Sequence, residues 1–306
     1  METVGILFDG QGSQYYEMGK SLYNECELVR PFYKQLSREL HLSLDSLFEL
    51  KEDKIKQTIF SQPLIFTFEV SLYSIFKSKY PKLAVQSYGL SLGMYSAMYA
   101  NNYLDFSQLL KIVIKRAECM QKASEVCPGK MIALSNGNID DIEFVCSQLK
   151  NEKVSVANYN STKQVVVGGS HMGVNKASKL FDALGIQQRE LQVNGAFHTA
   201  LMDIARVEFL QFLNDKFNSL PGCSNKISLD TSIEKYRKKA IELCANQIVS
   251  ATSLVDVLAH MEKLGINRFV EIGPKIIISR FITDCLDNKQ VDTITSYQDI
   301  KELSFQ

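Results

Sequence analysis

The sequence predicts an α/β protein: a large domain built on a mostly parallel sheet, with a small ferredoxin-like lobe inserted into it. Two observations carry this. Short apolar runs that break into glycine-containing turns alternate with segments of helical period, the pattern of strands and helices in a parallel sheet. Between residues 127 and 196 the order changes to strand, helix, strand, strand, helix, strand. At 306 residues the chain has room for both bodies, since domains typically run roughly 100 to 200 residues.

The first apolar run, Val4 to Phe8, ends in Asp9-Gly10-Gln11-Gly12-Ser13-Gln14 and reads as a strand and its turn. Helical spacing follows over Glu69 to Lys79 and Phe106 to Ala123. Between these, Leu83 to Tyr88 reads as a buried strand running into a sharp turn at Gly89. The lobe comprises Met131 to Ser135, Ile139 to Leu149, Val154 to Asn158, Gln164 to Gly168, Val174 to Leu184 and Gln188 to Val193. Helices are expected over Thr199 to Phe217 and Leu254 to Leu264, then a strand over Arg268 to Ile272 before Gly273-Pro274. The large domain is thus expected at residues 1–126 and 197–306. The charged stretch Lys51 to Lys56 and the polar tail after Asp287 read as solvated surface.

Composition narrows the function. Lysine plus arginine and aspartate plus glutamate are 34 each, which argues against a nucleic-acid partner, because such domains carry a basic excess. The 7 cysteines form no C-x-x-C or Cys/His pair and read as reduced thiols of a cytoplasmic protein. No apolar run reads as a bilayer span, and the acidic N-terminus does not read as a leader, so neither membrane nor signal peptide is expected.

Gly89-Leu90-Ser91-Leu92-Gly93 has the form Gly-X-Ser-X-Gly, directly after a strand and before the helix-compatible Met94 to Tyr99. This is a nucleophile elbow's context, and with it the large domain reads as hydrolase-like. Glycines at the flanks let a serine stand clear of the sheet. The bare motif arises by chance in roughly one chain in ten of this length, so a turn with a capping serine is the plain alternative.

A serine nucleophile needs a base, and the histidines are His41, His171, His198 and His260. His198 follows Gly195-Ala196-Phe197 on a loop where the chain returns from the lobe, which favours it over the others. The Gly10-Gln11-Gly12 turn offers backbone N–H groups that a ligand can approach closely, and equally reads as a plain turn. Arg116 sits among Leu109, Leu110, Ile112, Val113 and Ile114. It either snorkels to solvent or serves as a bidentate partner for a carboxylate.

Together these pieces resemble the malonyl-CoA:acyl-carrier-protein transacylase family, including the free-standing acyltransferases of polyketide assembly lines. The likeness runs in order through Gly10 to Gln14, Gln62-Pro63, Gly89 to Gly93, Arg116 with Met120-Gln121, Asn158 to Ser161, Gly195 to His198, Gln247 and Glu271 to Pro274. The resemblance implies Ser91 as nucleophile, His198 as base, and Gln11 and Leu92 as oxyanion-hole N–H donors. It makes the Gln247 backbone carbonyl the group that orients the histidine. Arg116 takes the position that pairs with the malonyl carboxylate, Gln62 and Leu90 line the site, and Phe197 matches malonyl-selective relatives. Malonyl-CoA and an acyl carrier protein are the implied partners, with coenzyme A thioester as substrate and neither metal nor cofactor.

The chain departs from the family's usual residues at Leu90 (often histidine), Met94 (often glutamate) and Asp9 (usually proline), and lacks an Asn-x-Pro-Val stretch near Val249 to Ser253. Two rivals remain. One is an acyl hydrolase of the same fold, which has no use for Arg116. The other is a non-catalytic docking homologue, which needs neither Ser91 nor His198.

Overall fold

The computed structural model describes residues 3–219 and 232–305. In chain order the first half reads β1 (Thr3–Phe8), α1 (Lys20–Glu25), α2 (Arg30–Glu39), α3 (Leu44–Phe48), α4 (Glu52–Ile55), α5 (Thr58–Lys79), β2 (Ala84–Gly89), α6 (Gly93–Ala100) and α7 (Phe106–Val126). There follow β3 (Gly129–Ser135), α8 (Ile139–Gln148), β4 (Ser155–Ser161), β5 (Gln164–Ser170), α9 (His171–Ala183) and β6 (Gln187–Glu190). The chain continues through α10 (Asp203–Ser219), α11 (Ser232–Asn246), β7 (Thr252–Ser253), α12 (Leu254–Lys263), β8 (Arg268–Ile272), α13 (Ile278–Cys285), β9 (Gln290–Ile294) and α14 (Tyr297–Glu302).

Two compact units are present: Met1–Ala117 with Tyr159–Gln164 and Ser253–Gln306, and Glu118–Asn158 with Val165–Thr252. The first holds a four-stranded sheet in the order β2-β1-β8-β9. Every pairing in it is parallel, with Phe8 opposite both Gly89 and Ile272, and Ile272 opposite Ile294. The strands therefore end level, and their turns leave the sheet side by side. That edge is where open parallel sheets place ligands.

The helix α5 is predominantly apolar and is buried along most of its length, with Gln62 and Glu69 among its buried residues. It has a mean hydropathy of 1.3 over 18 residues, enough by composition to cross a bilayer, yet 83% of that window is buried inside the protein. It is a core helix, the reading a largely apolar helix invites when it lies within a fold. On α12 and α13, Leu254, Leu258, Met261, Ile278 and Ile282 pack with Leu7 and Phe269 to close part of the core.

A second sheet has the order β6-β3-β5-β4-β7, with β3 and β6 antiparallel. Its first four strands and the helices α8 and α9 follow the strand-helix-strand-strand-helix-strand order of the sequence. The side chains of Asn138 and Ser170 cap α8 and α9 by accepting from Asp140 N and Gly173 N.

Two expectations need correction. The segment after Asp287 is the fourth strand of the parallel sheet and a final helix, anchored by the fully buried Ile294 and by the Arg268–Asp292 ion pair at 2.8 Å. The strand β2 is an edge strand with Ala84 and Gln86 exposed, not a buried one. Elements not anticipated from the sequence include the short strand β7 and the helices α11, α13 and α14. Six cysteines are free thiols, and Cys223 lies outside the described residues.

Candidate active site

The turn from Gly89 to Gly93 is built by contacts that only glycine permits. A Cβ on Gly89 would lie 2.1 Å from the Gly93 backbone, and one on Gly93 would lie 2.4 Å from the Phe8 carbonyl oxygen. The turn is therefore pressed against β1. Between the glycines, Ser91 has φ 54°, a left-handed conformation that costs a non-glycine residue about 1 to 2 kcal/mol and recurs at functional turns.

Because Phe8 and Gly89 are register partners, Gln11 and Leu92 each sit three residues past the end of adjacent parallel strands. Neither of their backbone N–H groups has an acceptor among the described residues. Two such donors at neighbouring strand ends are the ingredients of an oxyanion hole. The Gly12 N–H is taken by Gln14 Oε1 at 2.9 Å, and Ser13 Oγ donates to the Gly10 carbonyl at 3.0 Å, which fixes the turn.

Side chains link these two turns. Gln11 Nε2 donates to Thr58 Oγ1 (3.2 Å), Gln62 Nε2 donates to Gln11 Oε1 (3.1 Å), Arg116 Nη1 donates to Gln62 Oε1 (2.7 Å), and Arg116 Nη2 donates to Ser91 Oγ (3.0 Å). Arg116 is fully buried, so it does not snorkel. Burying a guanidinium costs several kcal/mol unless its donors are satisfied. Here that cost is partly offset by the hydrogen bonds of Nη1 and Nη2 and by the Tyr95 ring, 5.6 Å from Arg116 Cζ.

In the second unit, His198 is held twice by consecutive carbonyls just past the end of α11. Its backbone N–H donates to Ile248 O at 3.0 Å, and its Nδ1 lies 2.7 Å from Gln247 O. A carbonyl oxygen only accepts, so Nδ1 carries the hydrogen and Nε2 presents the lone pair. His198 also has positive φ, 60°, and is 4% exposed. Phe197 beside it is buried.

The remaining histidines are elsewhere. His41 is exposed in the turn after α2, His171 is exposed at the start of α9, and His260 on α12 sets its ring edge-on to Tyr88. Leu90 packs against the α12 and α13 cluster. Two residues that touch the site escaped the sequence reading: Thr58, the first residue of α5, and Tyr95, one helical turn after Ser91. The Tyr95 spacing was visible in the sequence, but no spacing points Thr58 at Gln11.

Residues 6–302 match the acyl transferase domain family. The malonyl CoA-acyl carrier protein transacylase of Bacillus subtilis (strain 168) is 30% identical over 305 residues, 96% of this chain and 93% of that protein. The crystal structure of MCAT from Streptococcus pneumoniae is similar with a TM-score of 0.84 and 27% identity, over 99% of this chain and 100% of that one. A malonyl-transacylase in complex with its type II PKS acyl-carrier protein shares the fold, with a TM-score of 0.86 at 23% identity over 98% of each chain. A match that runs almost from end to end, over a chain with a Gly-X-Ser-X-Gly elbow and a carbonyl-held histidine, leaves one assignment: the chain belongs to the acyl transferase domain family.

Proposed function

We propose that this protein transfers malonyl from malonyl-CoA to the phosphopantetheine thiol of an acyl carrier protein through an ester on Ser91. The observation that carries the reading is the buried Arg116 donating to Ser91 Oγ. The free carboxylate of a malonyl ester stands only a few ångströms from that oxygen, so a guanidinium in this place meets it as a planar, bidentate partner. Names of relatives similar over nearly the whole chain support the same substrate and carrier.

Chemically, Ser91 Oγ attacks the thioester carbonyl as His198 Nε2 takes its proton, and the Gln11 and Leu92 N–H groups stabilise the oxyanion, each worth roughly 100- to 1,000-fold in rate. The thiol of coenzyme A leaves with the proton from His198. A carrier thiol then attacks the ester, and the same imidazole removes and returns a proton again. The Gln247 carbonyl orients the ring without adding a negative charge, the orienting part of a triad acid's work. Thioester, ester and thioester lie close in free energy while hydrolysis is strongly downhill, so the site must favour thiol over water. Nothing in this sequence of steps calls for a metal or redox group.

The finer architecture fits the same picture. A parallel sheet with an elbow serine at its strand ends supports a hydrolase-like large domain, and the order β6-β3-β5-β4 supports a ferredoxin-like lobe at residues 127–196. Cytoplasmic carrier-protein chemistry is consistent with the free thiols.

The test is to mix the protein with malonyl-CoA and a holo acyl carrier protein and follow both malonyl-carrier and free malonate. Transfer predicts malonyl-carrier with parallel double-reciprocal lines. Malonate as the main product would establish the hydrolase instead.

A further inference from the structure

Three carboxyl groups from distant parts of the sequence are buried near one another: Asp9 just past the end of β1, Glu69 on α5 and Glu271 on β8, with exposures of 1%, 0% and 0%. We propose that Asp9 is a positioning residue for acyl transfer: its side chain carries a proton that it donates to Glu271, and this bond fixes the turn that presents Gln11 to the reacting carbonyl. The inference rests on the acyl-transfer reading of the Gln11 N–H given above.

The geometry begins with Glu271, whose oxygens accept from Ile277 N (2.6 Å), Ile278 N (2.6 Å) and Ser279 N (2.8 Å) at the start of α13. Both oxygens are thus engaged as acceptors. Asp9 follows Phe8, which stands opposite Ile272, and this brings its carboxyl close to that of Glu271; with three N–H groups already on Glu271, a hydrogen shared between the two belongs on Asp9. Asp9 Oδ2 receives a long bond from Lys275 N (3.4 Å), while Oδ1 has no N–H or O–H donor among the described residues. Two ionised carboxylates at this range repel, whereas an acid and a carboxylate attract.

The other groups facing Asp9 agree. Glu69 approaches from α5 and accepts from Ser96 Oγ of α6 at 2.5 Å. Burial first, then the charges of Glu271 and Glu69, push the Asp9 carboxyl well above the usual carboxylate range. Burial does the same to Glu69, against the bond from Ser96.

Asp9 is wedged between two glycines, Gly273 and Gly93. A Cβ on Gly273 would fall 2.2 Å from Asp9 Oδ2, and a Cβ on Gly93 of the elbow would fall 2.7 Å from the Asp9 carbonyl oxygen. The Asp9 side chain fills the space left by Gly273, while its backbone abuts the nucleophile turn. Two residues on, Gln11 begins the hydrogen-bonded series through Gln62 and Arg116 to Ser91. The resemblance puts a proline at this position, whose ring would fix φ covalently. Asp9 fixes the same turn through a proton, which makes its placement sensitive to pH.

The test compares wild type, Asp9→Asn and Asp9→Ala in single-turnover acylation by malonyl-CoA, read by intact mass from mildly acid to alkaline pH, with steady-state kcat and KM at neutral pH. Wild type is expected to lose acylation as pH rises through the Asp9 titration while its far-UV circular dichroism stays constant. Asp9→Asn keeps a donor that cannot ionise, so it should match wild type at neutral pH and hold its rate where wild type falls. Asp9→Ala should lose roughly 10- to 100-fold in kcat with KM little changed, the scale of a small misplacement in a preorganised site. An alkaline fall shared by wild type and Asp9→Asn overturns the proposal, as does one that tracks loss of the dichroism signal. If Asp9→Ala does not fold, the asparagine comparison decides alone. Absence of a malonyl adduct on wild type at any pH would instead refute the acyl-transfer reading.

Discussion

Arg116 Nη2 donates to Ser91 Oγ at 3.0 Å, with the guanidinium fully buried and its other terminal nitrogen on Gln62. The serine oxygen is thereby an acceptor from the arginine, and its own hydrogen points elsewhere. One cation thus touches both the proposed nucleophile and, in the proposed reaction, the place where an acyl carboxylate would come to rest.

Arg116→Ala should cut malonyl transfer by roughly 30-fold to several thousand-fold, the equivalent of about 2 to 5 kcal/mol for removing one member of a buried charge pair. Acetyl transfer should fall far less, or rise. Arg116→Lys keeps the charge without the fork and should lie between the two. Rates for malonyl-CoA and acetyl-CoA across the series check this, and an unchanged ratio would remove Arg116 from acyl selection.

The positive φ of Ser91 makes a stability prediction that is separate from catalysis. Ser91→Gly and Ser91→Ala both lack the hydroxyl, and only glycine adopts this backbone without strain. The glycine variant should be more stable by about 1 kcal/mol. Urea midpoints of the pair measure it; equal midpoints would show that the elbow is relaxed.

His198→Ala should slow acylation and transfer alike by roughly 100- to 10,000-fold, since one imidazole serves both half-reactions. Alanine at His41, His171 or His260 should leave both rates near wild type, because all three are exposed, His260 with its ring edge-on to Tyr88. Stopped-flow rates for the four variants separate the roles.

Stability should fall as pH rises. In the unfolded chain Asp9 and Glu69 titrate near about 3.9 and 4.3, whereas burial holds both well above those values in the fold. Between the unfolded and folded values the native state binds more protons. The contribution is therefore fully present below about pH 4 and lost as pH rises through the folded values. Asp9→Asn removes part of that slope, so its denaturation midpoint should gain on wild type with increasing pH. A gap that stays constant would show that Asp9 is ionised throughout.

Parts of this were legible in the sequence because they are local. The elbow is one: Gly89 and Gly93 are each required by a backbone within 2.4 Å of where a Cβ would sit, and the run before them ends at the strand they terminate. The direction of Arg116 was not legible, because an apolar helix flanked by lysines offers both a solvent face and a core face, and only packing selects one. The carboxyl trio was hidden for another reason. Asp9, Glu69 and Glu271 are far apart in sequence, and two of them meet through the register that sets Phe8 opposite Ile272. Composition misled at β9, where a half-exposed strand at the sheet edge looks like polar surface.

The most direct test of the account is the intact mass of the protein after brief exposure to malonyl-CoA, beside Ser91→Ala treated identically. The account predicts one malonyl adduct on wild type, removed by a holo carrier thiol, and none on Ser91→Ala with its fold intact by circular dichroism. A malonyl adduct of equal yield on Ser91→Ala, or none on folded wild type, would contradict it.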